Sequence, residues 1–295
     1  MAGTLKKDTL FPPQLVTDMF SKVKGHSSLA KLVKDEPVPF NGKDMFVFDI
    51  DGEISIVGES GAKPAGSASV GPVQMRPVKV VYQSRISDEF VRASEEARLK
   101  YLAKYAEGFS KKIGSGFDVM AFHGVNPATG TASALIGNNH FDYATAANTI
   151  TINGDIDINI EEAIELIENS ENAVTGVVMA PAARSAMAKL KDVDGHRAYP
   201  DYAFGAAPAK LGSGDLDVNP TASKNGSKDR VILGDFANAF KWGYAAEIPL
   251  EVIEYGDPDG TGRDLKQCNE VCLRSEAYIG WAIMDEAAFA KVVAE

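Results

Sequence analysis

Apolar and polar positions alternate with a period of two over residues 45–57, centred on FVFDIDGEISIV, and again over residues 73–86, VQMRPVKVVYQSRI. Such alternation puts apolar side chains on one face of a strand and polar ones on the other. The stretch between them, residues 58–69, is dominated by Gly, Ala and Ser, so the pattern predicts a long β-hairpin with a loose tip. A lone two-stranded ribbon is marginal in water. No further strand pattern adjoins this one, and neighbouring copies of the chain are expected to hold it.

The period then changes. Ser87 and Asp88 are placed to cap a helix from 89 to about 113, where Phe90, Ala93, Ala97, Tyr101, Tyr105, Phe109 and Ile113 recur at helical spacing. Its acids lie early and its bases late, which suits the helix dipole, and its length is on the order of 37 Å. Gly114 and Gly116 are expected to end it, with FDVMAFHGV as a second helical piece. Ahead of the hairpin, residues 1–40 read as an arm. Pro12 and Pro13 precede a short amphipathic helix over 14–24, with Leu15, Val16, Met19, Phe20 and Val23 on one side, Gly25 ends it, and an extended run follows around Pro37 and Pro39. The arm has too few apolar residues for a core and must lie across other surfaces.

Residues 126–143 are loop-like. From residue 150 helix and strand alternate: a helix over 160–169, a buried strand over 175–180, a helix over 182–190 opened by Pro181, a polar excursion over 191–229, and a strand and turn over 231–236. This block suits a compact α+β domain with a central sheet. Strand-like runs at 241–255 and 266–281 flank an acidic turn, Gly256-Asp257-Pro258-Asp259-Gly260-Thr261-Gly262, and 283–293 closes the chain.

With 295 residues, 45% hydrophobic and 24% charged, the chain can bury a core in one large domain or two smaller ones. Its net charge of −11 argues against a nucleic-acid binder. No apolar run approaches the ~20 residues of a membrane helix, and the opening residues lack the apolar segment of a secretory signal. Cys268 and Cys272, four apart in a strand-like run, are expected on one side of a strand as small buried hydrophobes in a reducing compartment.

Candidate chemistry is thin. Asp49 and Asp51 fit strand alternation better than a metal loop, because the distal Glu of a calcium loop is missing. His123 and His140 stand near Asp142 without a clear third ligand. The acidic turn resembles only the start of a calcium loop. No P-loop, dinucleotide fingerprint, HExxH or GxSxG is present. The expectation is a chain with no catalytic residue, no cofactor and no metal, shaped to touch its neighbours.

The order of parts, closing with GDFANAFKWGYAAEIPLEV and QCNEVCLRSEAYIGWAIMDEAAFAKVV, resembles a tailed-phage major capsid protein of the Hong Kong 97 fold, from about Leu10 to Val293. The resemblance implies an α+β capsid fold. Its parts are an N-terminal arm (1–40), an extended β-hairpin loop (41–86), a peripheral domain with a spine helix (87–149), an α/β axial domain (150–240), return strands of the peripheral domain (241–281) and a C-terminal strand rejoining the axial domain (282–295). It implies assembly contacts at the hairpin tip, Glu59 and Lys63, and at the acidic turn, Asp257, Asp259 and Gly260. The partners it implies are other copies in hexamers and pentamers, a portal, and packaged DNA enclosed without sequence-specific binding. Either a separate scaffolding protein or a design needing none would serve, since the arm begins almost at Met1. Some members cross-link Lys to Asn between subunits; Lys63 sits at the hairpin tip and Asn269 beyond the acidic loop, but the Asn and its activating Glu do not align, and Lys63 reads as a solvated tip residue. The function implied is a self-assembling icosahedral head of a double-stranded DNA phage or prophage, located in the virion and assembled in the bacterial cytoplasm. The alternative is an encapsulin-like nanocompartment shell.

Overall fold

The structure, a computed structural model, describes residues 25–51, 56, 57, 59, 67–91, 95–224 and 226–295. In chain order the elements are α1 (Ser28–Leu32), β1 (Lys43–Asp51), β2 (Ser67–Met75), β3 (Val78–Ser87), α2 (Asp88–Val91), α3 (Glu95–His123), α4 (Phe141–Ala144), β4 (Thr149–Thr151), α5 (Ile156–Glu168), β5 (Gly176–Met179), α6 (Pro181–Met187), β6 (Lys210–Leu211), β7 (Gly214–Val218), β8 (Asp229–Gly234), α7 (Phe236–Ala239), β9 (Phe240–Ile253), β10 (Glu270–Ile283) and β11 (Phe289–Val293). They form a two-stranded ribbon β1-β2, a three-stranded sheet β3-β10-β9 and a six-stranded sheet β4-β11-β8-β5-β7-β6.

The six-stranded sheet is mixed, with β4 and β7 joining parallel to β11 and β5. Its central strands are buried on both faces, so their side chains divide between two cores. Val178 and Ile232 face one, with Phe236, Phe289 and the C-terminal half of α3; Val177, Met179, Val231 and Leu233 face the other, against α5 and α6. Strands covered on both sides read as continuous apolar runs, which is why VVM and VIL were visible as strands. Pro181 opens α6 at its first turn as expected.

The first core continues under the three-stranded sheet. Trp242 and Trp281 are register partners on β9 and β10, and the Phe117 ring packs against both, 5.0 and 5.7 Å between centroids. Each indole N–H is satisfied: Trp242 donates to the Val33 carbonyl at 2.9 Å and Trp281 to the Asn139 carbonyl at 2.8 Å.

Several expectations are corrected. The hairpin pairs β1 with β2, Lys43 opposite Met75 through Asp51 opposite Ser67, so its second strand ends at Met75 and not at residue 86. Residues 78–87 leave it after Pro77 and pair with β10, because the alternation of a half-buried strand does not specify which strand it will join. The return run at 266–281 is likewise no separate ribbon, since β10 pairs with β3 and β9 together. Gly114 and Gly116 do not end the long helix, which runs unbroken to His123. A glycine costs about 1 kcal/mol in a helix interior, and burial of Phe117, Met120, Ala121 and Phe122 immediately beyond outweighs it. The buried stripe of α3 is Leu102, Ala106, Phe109, Ile113, Phe117, while Tyr101 is exposed. The excursion at 191–229 contains the short strands β6 and β7. Cys268 lies in the turn before β10 and only Cys272 is in the strand, buried; both are free thiols.

The arm from residue 27 onward lies on its own subunit. Leu29, Ala30 and Val33 enter the first core. Residues 36–38 then run along the open edge of β9, the Glu36 N–H donating to Trp242 O at 2.9 Å and the Val38 N–H to Tyr244 O at 3.3 Å. Gly243 makes this approach possible, since a Cβ there would collide with the Glu36 carbonyl. The expected helix at 14–24 lies outside the described residues.

Candidate assembly surfaces

The ribbon β1-β2 departs from the subunit at its base. Met75 is fully buried and packs with Val38 and Ala282, with Met45 and Val73 alongside. In an antiparallel pair, opposite residues share a face. Phe46, Pro72 and Val70 therefore lie on the face away from Met45, Val73 and Met75, and all three are exposed, Phe46 at 64% and Val70 at 50%. The ribbon thus has one face at its base on its own subunit and one apolar face bare. Of the predicted tip contacts, Glu59 is an exposed turn residue and Lys63 lies outside the described residues, as do Gly52 and Glu53 of the Asp-rich run.

The acidic turn is built differently from a free acidic surface. Arg85 of β3, 14% exposed, reaches under it and binds Asp259 with two guanidinium nitrogens, Nε to Oδ2 at 2.7 Å. The same side chain meets Asp257 Oδ1 at 2.6 Å, Glu270 Oε2 at 3.1 Å, Thr261 Oγ1 at 2.9 Å and the Arg263 carbonyl at 3.0 Å. The Gly262 and Thr261 amides donate to Asp257 at 2.6 and 3.1 Å. The Arg85 guanidinium holds the Asp259 carboxyl well below the usual carboxylate range. Asp257 and Asp259 are therefore internal braces of the turn. Gly260, left-handed at φ +66° with open space where a Cβ would stand, is at its tip.

Between β3 and α3 runs a groove of about 540 Å³, lined by Val78, Val80, Ile113, Met120, Pro127 and Ile136 among others. β3 is an edge strand of its sheet, so the groove lies beside unpaired backbone.

Two buried polar centres tie the elements together. Asp118, fully buried in α3, accepts from Ser27 Oγ at 2.5 Å, the Ser28 and Leu29 amides at 2.9 and 3.3 Å, and Thr221 Oγ1 at 2.9 Å. Burial pushes its carboxyl up to about 6 against these donors. Asp217 of β7 takes the Ser28 hydroxyl at 2.7 Å and Lys31 Nζ at 2.6 Å, fixing α1 to the sheet as well.

The second centre lies at the end of α3. His123 Nδ1 is 2.9 Å from Asp142 Oδ2 and 3.6 Å from Asp229 Oδ2, and its Nε2 is 3.2 Å from the Thr221 carbonyl. Lys291 Nζ touches the other oxygens of the two carboxylates, at 2.8 and 3.6 Å. Burial opposes a positive charge on His123, but the Asp142 and Asp229 carboxylates outweigh it and raise the imidazole. Burial and the facing Asp142 push Asp229 up to about 6.

Residues 8–294 match the model of the phage capsid family. The chain belongs to the phage capsid family. This capsid protein is similar to a solved chain from Mycobacterium phage Ogopogo at 29% identity, TM-score 0.78, covering 92% of each chain. It is also similar to one from Gordonia phage Cozz at 24% identity, TM-score 0.76, covering 91% of this chain and 87% of that one. The fold extends to a chain titled "Capsid of native GTA particle computed with C5 symmetry", at 14% identity, TM-score 0.60, covering 99% and 92%. Among curated proteins none matches. The Hong Kong 97-like α+β fold read from the order of parts is therefore the fold of this capsid protein, and its family favours a phage shell over the nanocompartment alternative. No helix among the described residues is long and apolar enough to cross a membrane.

Sequence reasoning missed Arg85, Asp118 and Asp229 in this capsid protein. None sits in a motif. Each acts on groups remote along the chain, Arg85 on Asp257 across 172 residues and Asp118 on Ser27 across 91. The surplus of acids in the turn at 257–259 was the one available signal that a basic partner had to come from elsewhere.

Proposed function

We propose that this capsid protein is the repeating unit of an icosahedral phage head, closing as hexamers and pentamers around a double-stranded DNA genome. The observation that supports the reading best is the ribbon β1-β2. It exposes Phe46, Val70 and Pro72 together on one face, and a ribbon with a bare apolar face gains stability when another surface covers it. Burial gives ~25 cal/mol per Å² before entropy costs, and repetition around a closed shell multiplies each contact.

In this reading residues 41–75 are the extended loop, with Glu59 and Lys63 at its tip over an adjacent copy. α3 is the spine of a peripheral domain that includes β3, β9 and β10. The six-stranded sheet is the axial domain at the capsomer centre. The turn at 257–262, stiffened by Arg85, meets other copies through Gly260 and its backbone, with Asp257 and Asp259 holding its shape. The acidic balance keeps packed DNA from adhering. A scaffolding protein and a portal are the further partners this role calls for, and assembly takes place in the host cytoplasm.

The test is electron microscopy of the purified full chain, with and without residues 59–69. Closed shells from the intact chain, and a folded protein without shells from the deletion, are expected. Equal shell yield from both would remove the ribbon from the assembly.

A further inference from the structure

His123, Asp142 and Asp229 come from three different elements, the end of α3, α4 and the start of β8. Each brings one donor atom to the same place, the three lying within 4.8 Å of one another. We propose that they form a site for a divalent transition-metal ion of the zinc type, which braces α3 against the six-stranded sheet.

The spacing fits such an ion. Around tetrahedral zinc with bonds of ~2.0–2.2 Å, adjacent donor atoms stand about 3.3–3.6 Å apart. Of the distances from His123 Nδ1 to the two Oδ2 atoms, 3.6 Å to Asp229 lies within that range and 2.9 Å to Asp142 is somewhat shorter. The imidazole is also oriented for it. Nε2 donates to the Thr221 carbonyl at 3.2 Å, an outer contact that fixes the tautomer and turns the Nδ1 lone pair toward the carboxylates.

Asp229 supplies the independent observation. It is 3% exposed, and its Oδ2 has no hydrogen-bond partner. A proton on Nδ1 serves Asp142, which is nearer, so that buried oxygen is satisfied without an ion only when Asp229 carries a proton of its own toward Asp142; a metal ion serves both carboxylates in their ionised form. Lys291 does not compete for the position. Its Nζ meets Asp142 Oδ1 and Asp229 Oδ1, leaving the two Oδ2 atoms directed at His123. With a neutral imidazole, two carboxylates against one ammonium leave the centre net negative. One imidazole and two carboxylates favour zinc and its neighbours over magnesium or calcium, which take all-oxygen sets. Asp142 is the partly exposed member of the three, with 29% of its side chain open to solvent.

The experiment uses the full chain, stripped with EDTA and dialysed. Addition of Zn²⁺ is expected to load about one ion per chain, measured by elemental analysis, and to raise Tm by about 3 °C or more. Co²⁺ is expected to give visible absorption bands of low-symmetry coordination. Asp229→Asn and Asp142→Asn, each checked for native circular dichroism, are expected to lose the cobalt bands and the thermal shift. Wild-type protein that takes up neither ion at micromolar concentration overturns the site and leaves a proton-held ring of His123, Asp142, Asp229 and Lys291. Cobalt spectra unchanged in both variants would overturn it as well.

Discussion

Asp118 accepts the Ser27 hydroxyl at 2.5 Å across 91 residues of chain, and with the Ser28, Leu29 and Thr221 donors it fastens the arm to the C-terminal part of α3. Asp118→Ala leaves those buried donors without an acceptor. It is expected to cost about 2–4 kcal/mol in urea unfolding and to speed proteolysis within residues 25–35.

The same carboxyl predicts a pH dependence. Its folded value, about 6, lies above the ordinary carboxylate value because of burial, so the folded state binds the proton more tightly than the unfolded one. Its contribution to stability is full below about pH 4 and is lost as pH rises through 6, at most about 3 kcal/mol. Asp118→Asn cannot titrate. The stability difference between the variant and wild type should therefore shift in the variant's favour between pH 4 and 7, and a difference that does not move with pH contradicts this.

Gly243 lets the Glu36 backbone lie against β9. Gly243→Ala is expected to push residues 36–38 off that edge and destabilise the subunit by about 1–3 kcal/mol. Hydrogen exchange at the Glu36 and Val38 amides should rise while exchange across β10 stays slow.

Arg85→Ala leaves Asp257, Asp259 and Glu270 facing one another, so the turn should loosen and shells should form less readily at low salt. Arg85→Lys is not expected to restore it, since an ammonium cannot reproduce the forked contacts. Because Arg85 depresses the Asp259 carboxyl, docking of the turn is present above the ordinary carboxylate range. It is lost only as pH falls through that lowered value. Proton titration of the Asp259 carbon resonance by NMR would check it.

The bare face of the ribbon separates folding from assembly. Phe46→Ser combined with Val70→Ser changes exposed positions and should leave unfolding stability within about 0.5 kcal/mol, while shell yield by sedimentation falls sharply.

Much of this fold could be read from local pattern. Residues 177–179 and 231–233 show as strands because both faces are covered, Pro181 marks its helix, and the order of parts identifies the family. Partner choice could not be read. The alternation at 78–86 describes a strand equally well whether it pairs with β2 or, as it does, with β10. β7 offers a single buried apolar side chain, Leu216, between acids, too little to stand out from a loop. The glycines at 114 and 116 carry a local helix penalty that tertiary burial overrides. His123 and His140 were visible near Asp142 without a clear third ligand; Asp229 comes from a strand far along the chain, and only folding brings its carboxylate to His123 and Asp142.

β11, residues 289–293, lies between β4 and β8 inside the six-stranded sheet. That seam is thus filled from far along the chain, by a strand that follows β10. Until β11 is drawn in, β4 and β8 each present an unpaired edge, and open edges of that kind invite mispairing with another copy, so insertion of this strand separates correct folding from aggregation.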